Sequence, residues 1–102
     1  MLNQVVLVGR IENEFEVQMT EKGKQLTLIL KVDRNYKNTN GEYDIDYIPV
    51  KVLRTMIDTV IENCSKGSLI GVKGRLTKLN NDDLEILAEK LTFLSLKKGG
   101  EE

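Results

Sequence analysis

The chain has 102 residues, enough for one small hydrophobic core and too short for two. Apolar residues make up 40% and charged residues 30%, a globular rather than a disordered composition, and no apolar run approaches the roughly 20 residues of a membrane span. There is no histidine and only one cysteine, Cys64, which excludes a zinc site built from those two residue types, a histidine-dependent triad and an internal disulfide. The single cysteine points to a reduced, cytoplasmic protein. The start, Met1-Leu2-Asn3, has no basic stretch followed by an apolar one and so does not read as a secretory signal. Net charge is −1. Taken alone that argues mildly against a phosphate-rich partner, although binding needs only a local basic face.

Residues 4–11 are rich in β-branched side chains and predict a first strand, with Gly9 marking a bulge or bend. Residues 14–19 continue in extended form, Phe15, Val17 and Met19 alternating with polar neighbours. After the turn Glu21-Lys22-Gly23-Lys24, Leu26, Leu28, Leu30 and Val32 recur at period two and predict a strand over 25–33. The stretch Arg34 to Asp44, with Asn35, Asn38, Asn40 and Gly41, reads as a long hairpin loop. Residues 45–53 form the next strand, with Ile48, Val50 and Val52 on one face and Tyr47, Pro49, Lys51 and Leu53 on the other.

The period then changes. Met56, Ile57, Val60, Ile61 and Cys64 recur at helical spacing over 54–64, and Lys66-Gly67 ends that helix. Strands follow over 68–76 and 84–96, joined by the turn Leu79 to Asp83. There is no internal repeat and no low-complexity linker. The expected division is one domain over 1–97 and a disordered tail over 98–102.

Three strands, a helix and two strands is the order of the OB-fold: an all-β, five-stranded Greek-key barrel with one helix between strands three and four. Another small β-barrel would share that order. Cys64 lies on the apolar stripe of the helix and reads as a buried structural residue. Gly9, Gly71 and Gly74 read as devices of barrel curvature, with close approach of a base to the backbone as a second reading for Gly71.

Several segments carry a more specific resemblance. Met1 to Ile11 resembles the opening strand of the bacterial single-stranded DNA-binding proteins. Val32-Asp33-Arg34-Asn35-Tyr36-Lys37-Asn38 is similar to the end of that family's second strand. Gly41-Glu42 followed by Asp46-Tyr47-Ile48-Pro49-Val50-Lys51-Val52 resembles its third, and Lys66 to Leu76 its fourth. The matches lie in order along the whole chain.

The resemblance implies sequence-non-specific binding and protection of single-stranded DNA in replication, repair or recombination. Aromatic rings stack on bases while lysine and arginine follow the phosphates. It also implies a homo-oligomer, usually a tetramer. The residues themselves offer no cofactor motif and no metal site. Tyr36 and Tyr47 fall at two of the family's stacking positions. Leu53 and Leu79 stand where an aromatic is usual, and there is no tryptophan, so the resemblance implies weaker binding per subunit than the family's norm.

The basic candidates are Lys31, Lys51, Lys73 and Arg75 on strand faces left over by the core, with Arg10, Arg34, Lys37, Arg54 and Lys78 at strand ends and loops. Asp33, Asp44 and Asp46 lie among them. For any single lysine a solvated face is the plain alternative, and for each tyrosine a partly buried ring with its hydroxyl in water.

Full-length family members usually continue to an acidic terminus that recruits other replication and repair proteins. Here the chain stops at Lys97 to Glu102, as a trimmed or tailless relative would, and such recruitment is left open. Two other functions remain: an OB-fold protein-interaction module with weak nucleic-acid binding, as a primosome-like accessory, and an RNA binder. No acid, base or nucleophile constellation marks an enzyme.

Overall fold

A computed structural model describes residues 1–95. Its elements are β1 (Val5–Ile11), β2 (Gln18–Thr20), β3 (Gly23–Lys37), β4 (Tyr43–Val52), a 3₁₀ turn (Arg54–Met56), α1 (Ile57–Asn63), β5 (Leu69–Lys78) and β6 (Leu84–Phe93). The strands lie in the order β1-β5-β6-β4-β3-β2, and β1 also pairs with β3. That second pairing closes a barrel of β1, β3, β4, β6 and β5, while β2 is a short ribbon on the start of β3. Helix α1 falls between the third and fourth barrel strands in chain order, as the sequence predicts. All strand pairs are antiparallel except β4 and β6. Among the described residues, no helix is long and apolar enough to cross a membrane.

The period-two residues fill the barrel. Leu26, Leu28 and Leu30 of β3, Val50 and Val52 of β4, Ile70 and Val72 of β5, and Ile86 and Ala88 of β6 are buried. Ile57, Val60 and Cys64 are buried with them, so the helix plugs the barrel with its apolar stripe. Full burial of each large aliphatic side chain contributes about 1.5–3 kcal/mol. Cys64 also donates from Sγ to the Val60 carbonyl at 3.2 Å.

Two glycines allow strands to close. A Cβ on Gly9 would stand 2.5 Å from the Lys31 carbonyl oxygen where β1 crosses β3, and one on Gly74 would land on the Leu87 carbonyl. Gly74 also sits at a register shift between β5 and β6. Gly71 meets nothing closer than ordinary contact distance, so curvature does not demand it.

Four expectations change. The long loop over 34–44 is mostly strand: β3 runs on to Lys37 and β4 starts at Tyr43. The asparagines that suggested a loop instead tie a short turn, where Asn38 Oδ1 accepts from the Asn40 and Glu42 amides at 2.8 and 3.0 Å. Over 14–19 only Gln18 onwards is strand, and of the three alternating residues only Phe15 packs on the core, while Met19 is exposed. The helix starts later, because Arg54–Met56 is a 3₁₀ turn. Strand β6 ends at Phe93; the end of the expected strand over 84–96, the domain end at 97 and the tail over 98–102 fall on or beyond residue 96, outside the described residues.

Candidate nucleic-acid interface

The core takes every second residue of the barrel strands, and the remaining residues form an outer face whose neighbours are fixed by register. In β1, β3 and β4 the pairs Arg10 with Lys31 and Lys31 with Tyr47 place those three residues in one row across the sheet. Directly opposed side chains stand about 4.5–5.5 Å apart at Cβ. A second row runs Thr27, Lys51, Leu87 and Arg75 across β3, β4, β6 and β5. Tyr47 is 55% exposed, so its ring is open to a ligand.

The cations of this face differ in how far they are already engaged. Lys31, Lys51 and Lys73 make no ion pair or side-chain hydrogen bond among the described residues. Arg10 donates to the Gly67 carbonyl at 3.0 Å, a bond that aims the side chain without neutralising it. Arg75 stands 3.7 Å from Glu89 and Lys78 stands 3.2 Å from Asp82, both exposed pairs of small worth.

The β3–β4 hairpin has a second side. Asp46 points opposite to Tyr47, being its chain neighbour in an extended strand. Arg34 grips Asp46 with two hydrogen bonds, Nη2 to Oδ1 at 3.0 Å and Nε to Oδ2 at 3.2 Å, and Asp44 lies 3.9 Å from the same guanidinium. The Arg34 hydrogen bond holds the Asp46 carboxyl below the usual carboxylate range, and Asp46 in turn raises the Arg34 pKa. Tyr36 and Arg34 line a shallow concavity with Val6, Val8, Val32 and Ile48. Tyr47 is not part of it. Lys37 sits 5.8 Å above the Tyr43 ring, within cation–π range.

The single-strand binding protein family's model matches residues 2–94. The chain belongs to that family. It is 38% identical over 109 residues to "Single-stranded DNA-binding protein A" of Bacillus subtilis, covering 98% of this chain and 63% of that protein. It is 43% identical over 106 residues to "Single-stranded DNA-binding protein 1" of Staphylococcus aureus, covering 95% and 64%. The chain therefore spans a little under two thirds of the length of these curated relatives.

Among solved structures, the wild-type single-stranded DNA-binding protein of Thermus aquaticus superposes with a TM-score of 0.74 at 26% identity, over 92% of this chain and 50% of that one. A Plasmodium falciparum SSB complex with ssDNA superposes with a TM-score of 0.74 at 24% identity, over 93% and 97%, which speaks for the fold alone. The OB-fold expectation is met.

Within this single-strand binding family domain, the structure places Arg10, Lys31 and Tyr47 in one row of the barrel's outer surface and Lys51 and Arg75 in another. Leu53 and Arg54 join Lys51 at an adjoining basin. It sets Tyr36 and Arg34 on the other side of the hairpin, Lys37 on Tyr43, and Lys78 at the β5–β6 turn. Lys73 lies beside Val6 and Lys90. Among the described residues no cluster of three or more His, Cys, Asp or Glu is placed to hold a metal ion.

Sequence reasoning missed Tyr43, Lys22, Lys24 and Leu87. Tyr43 continues the period-two series of Ile45 and Tyr47, a signal hidden by reading 34–44 as a loop. Nothing in the sequence brings Lys22 and Lys24 to Lys51, because that proximity depends on how β2 folds onto β3.

Proposed function

We propose that this chain binds single-stranded DNA without base specificity and protects it in replication, repair or recombination. The observation that carries the reading is the row Arg10, Lys31 and Tyr47: an exposed ring in register with two cations that make no ion pair among the described residues, although Asp33 shares their concavity. Every base has a π-face, so stacking on Tyr47 is worth about 1–3 kcal/mol whatever the sequence. Arg10, Lys31 and Lys51 follow the phosphates. Neutralising about three phosphates per subunit gives a salt slope near −2 in log K against log salt. Leu53 contributes apolar contact without ring stacking, and Leu79 does the same at the β5–β6 turn.

The partner set includes a second copy of the chain. Val6 and Val8 point outward from β1 and are 68% and 53% exposed, an apolar stripe that self-association would cover, with a tetramer as the expected state. The protein acts in the cytoplasm.

Titration of fluorescent oligo-dT and oligo-U at two salt concentrations tests the function, with Tyr47→Ala as the control and light scattering for the oligomer. Binding of dT that weakens with salt and with loss of the ring is the expected result. Absence of dT binding at low salt would refute it in favour of a protein-interaction module, and tighter binding to oligo-U in favour of RNA.

A further inference from the structure

The paired strands β3 and β4 carry three aspartates, Asp33, Asp44 and Asp46. Two of them are neutralised. Arg34 takes both Oδ atoms of Asp46, and Asp44 lies 3.9 Å from the same guanidinium while accepting from Asn38 Nδ2 at 3.0 Å. Asp33 differs. Its carboxylate makes no ion pair and no side-chain hydrogen bond among the described residues.

Register fixes where that carboxylate stands. The ladder is continuous from Leu26 and Val52 to Asp33 and Ile45, so Lys31 faces Tyr47 and Asp33 faces Ile45. Asp33 is therefore on the same outer face as Lys31 and diagonal to Tyr47, at about 7–8 Å, within reach of a ring stacked there. It also shares an open concavity of about 300 Å³ with Arg10, Lys31, Val8, Gly9 and Leu69.

A carboxylate without a partner beside a phosphate-binding row opposes phosphate. Its two oxygens only accept hydrogen bonds. The part of a nucleotide that can satisfy them is the exocyclic amino group of a base. Cytosine presents the donor N4–H₂ where thymine presents the acceptor O4. A carboxylate next to a base stacked on Tyr47 attracts the first and repels the second. Stacking alone makes no such distinction, since both rings offer a π-face.

We propose that Asp33 is a specificity-determining residue that tilts the nucleotide stacked on Tyr47 towards a base with an exocyclic amino group, cytosine over thymine. The proposal rests on single-stranded DNA binding at the row of Arg10, Lys31 and Tyr47, and it lays a preference at one nucleotide over otherwise sequence-tolerant binding. Arg10 and Lys31 hold the neighbouring phosphates against the cost of the nearby negative charge. The tilt is modest because one solvent-exposed contact per subunit carries it.

The test titrates oligo-dC and oligo-dT of equal length, at neutral pH and one salt concentration, against the whole protein, Asp33→Asn and Asp33→Ala. Asp33 is exposed, so circular dichroism and the thermal midpoint should not move. Both variants should bind dT more tightly. Their dC-to-dT affinity ratio should fall about fivefold, the low end of what one such contact discriminates. In Asp33→Asn the fall comes from thymine, whose O4 can accept from the new amide. In Asp33→Ala it comes from cytosine, which loses its acceptor. Tightening of both oligomers by the same factor would show that Asp33 acts through charge alone, and would overturn the proposal while leaving the function standing. A Tyr47→Ala variant that keeps the full dC-to-dT ratio would overturn it as well, because the discriminated base would not be seated on that ring. Failure of the unaltered protein to bind either oligomer at low salt would remove the function and the preference together.

Discussion

The two sides of the β3–β4 hairpin are built from the same two strands and present opposite electrostatics. On Tyr47's side, Lys31 and Lys51 stand without acidic partners. On the other side, Arg34 spends its guanidinium on Asp46 and Asp44, and Tyr36 shares a concavity with the apolar Val6 and Val8. Alternation along one strand is enough to make this difference: Asp44 and Asp46 face one way, Tyr43, Ile45 and Tyr47 the other. A chain with net charge −1 can thus leave Lys31 and Lys51 without ion pairs on one side, with Asp33 in the same concavity as Arg10 and Lys31, and keep the other side internally neutralised.

The largest effect is expected from a change that removes one side and spares the local structure of the other. Gly74→Val drives a branched side chain into the Leu87 carbonyl and separates β5 from β6. Loss of about 3 kcal/mol of stability is expected, read by denaturant unfolding. The row Lys51, Leu87 and Arg75 should go with it. A variant with unchanged midpoint would show that the strands can shift around the new side chain.

Next in size is the contrast between the two rings. Tyr47→Ala should weaken dT binding about 5- to 150-fold, from about 1–3 kcal/mol of lost stacking. Tyr36→Ala should cost about threefold or less, because its cationic neighbour is already paired. Equal losses, measured by titration at one salt concentration, would erase the distinction between the sides.

Most of the barrel was legible because its signal is local. Leu26, Leu28 and Leu30 declare a half-buried strand by period, and Ile57, Val60 and Cys64 declare the helix. The hairpin was less legible because Asn38 and Asn40 look the same in a long loop as in a tight turn, where side-chain bonds decide. The same limit applies to the site. Lys31 and Lys51 could be placed outside the core by parity, but parity cannot show that Arg34 is engaged across the ladder while they are not. Resemblance placed Tyr36 and Tyr47 together as stacking positions; only the register and the bulge between Asp33 and Lys37 separate them.

A smaller effect is expected from opening the closed side. Asp46→Asn removes the acceptor charge that Arg34 faces and leaves only Asp44 at 3.9 Å. Binding of dT should tighten about threefold, with a salt slope steeper by about 0.7 as one further phosphate contact forms. Unchanged affinity and slope would mean that Arg34 cannot reach a strand even when released, and that geometry rather than pairing keeps this side out of the interface.

The smallest effect is on stability against pH, and its sign follows from the same pair. The Arg34 hydrogen bond holds the Asp46 carboxyl below its ordinary range, so in the window between the depressed folded value and the ordinary unfolded one the folded state binds fewer protons. The pair's contribution is complete above the ordinary carboxylate pKa and is lost as pH falls through the depressed value. It is small, because both side chains are exposed to solvent and screened. Thermal midpoints of the parent and Asp46→Asn should therefore differ most at neutral pH, parent above variant, and converge in acid as Asp46 takes up its proton. A gap that stays constant down to acid pH would trace the difference to packing of the amide, and the neutralised side of the hairpin would then owe its closure to shape instead of charge.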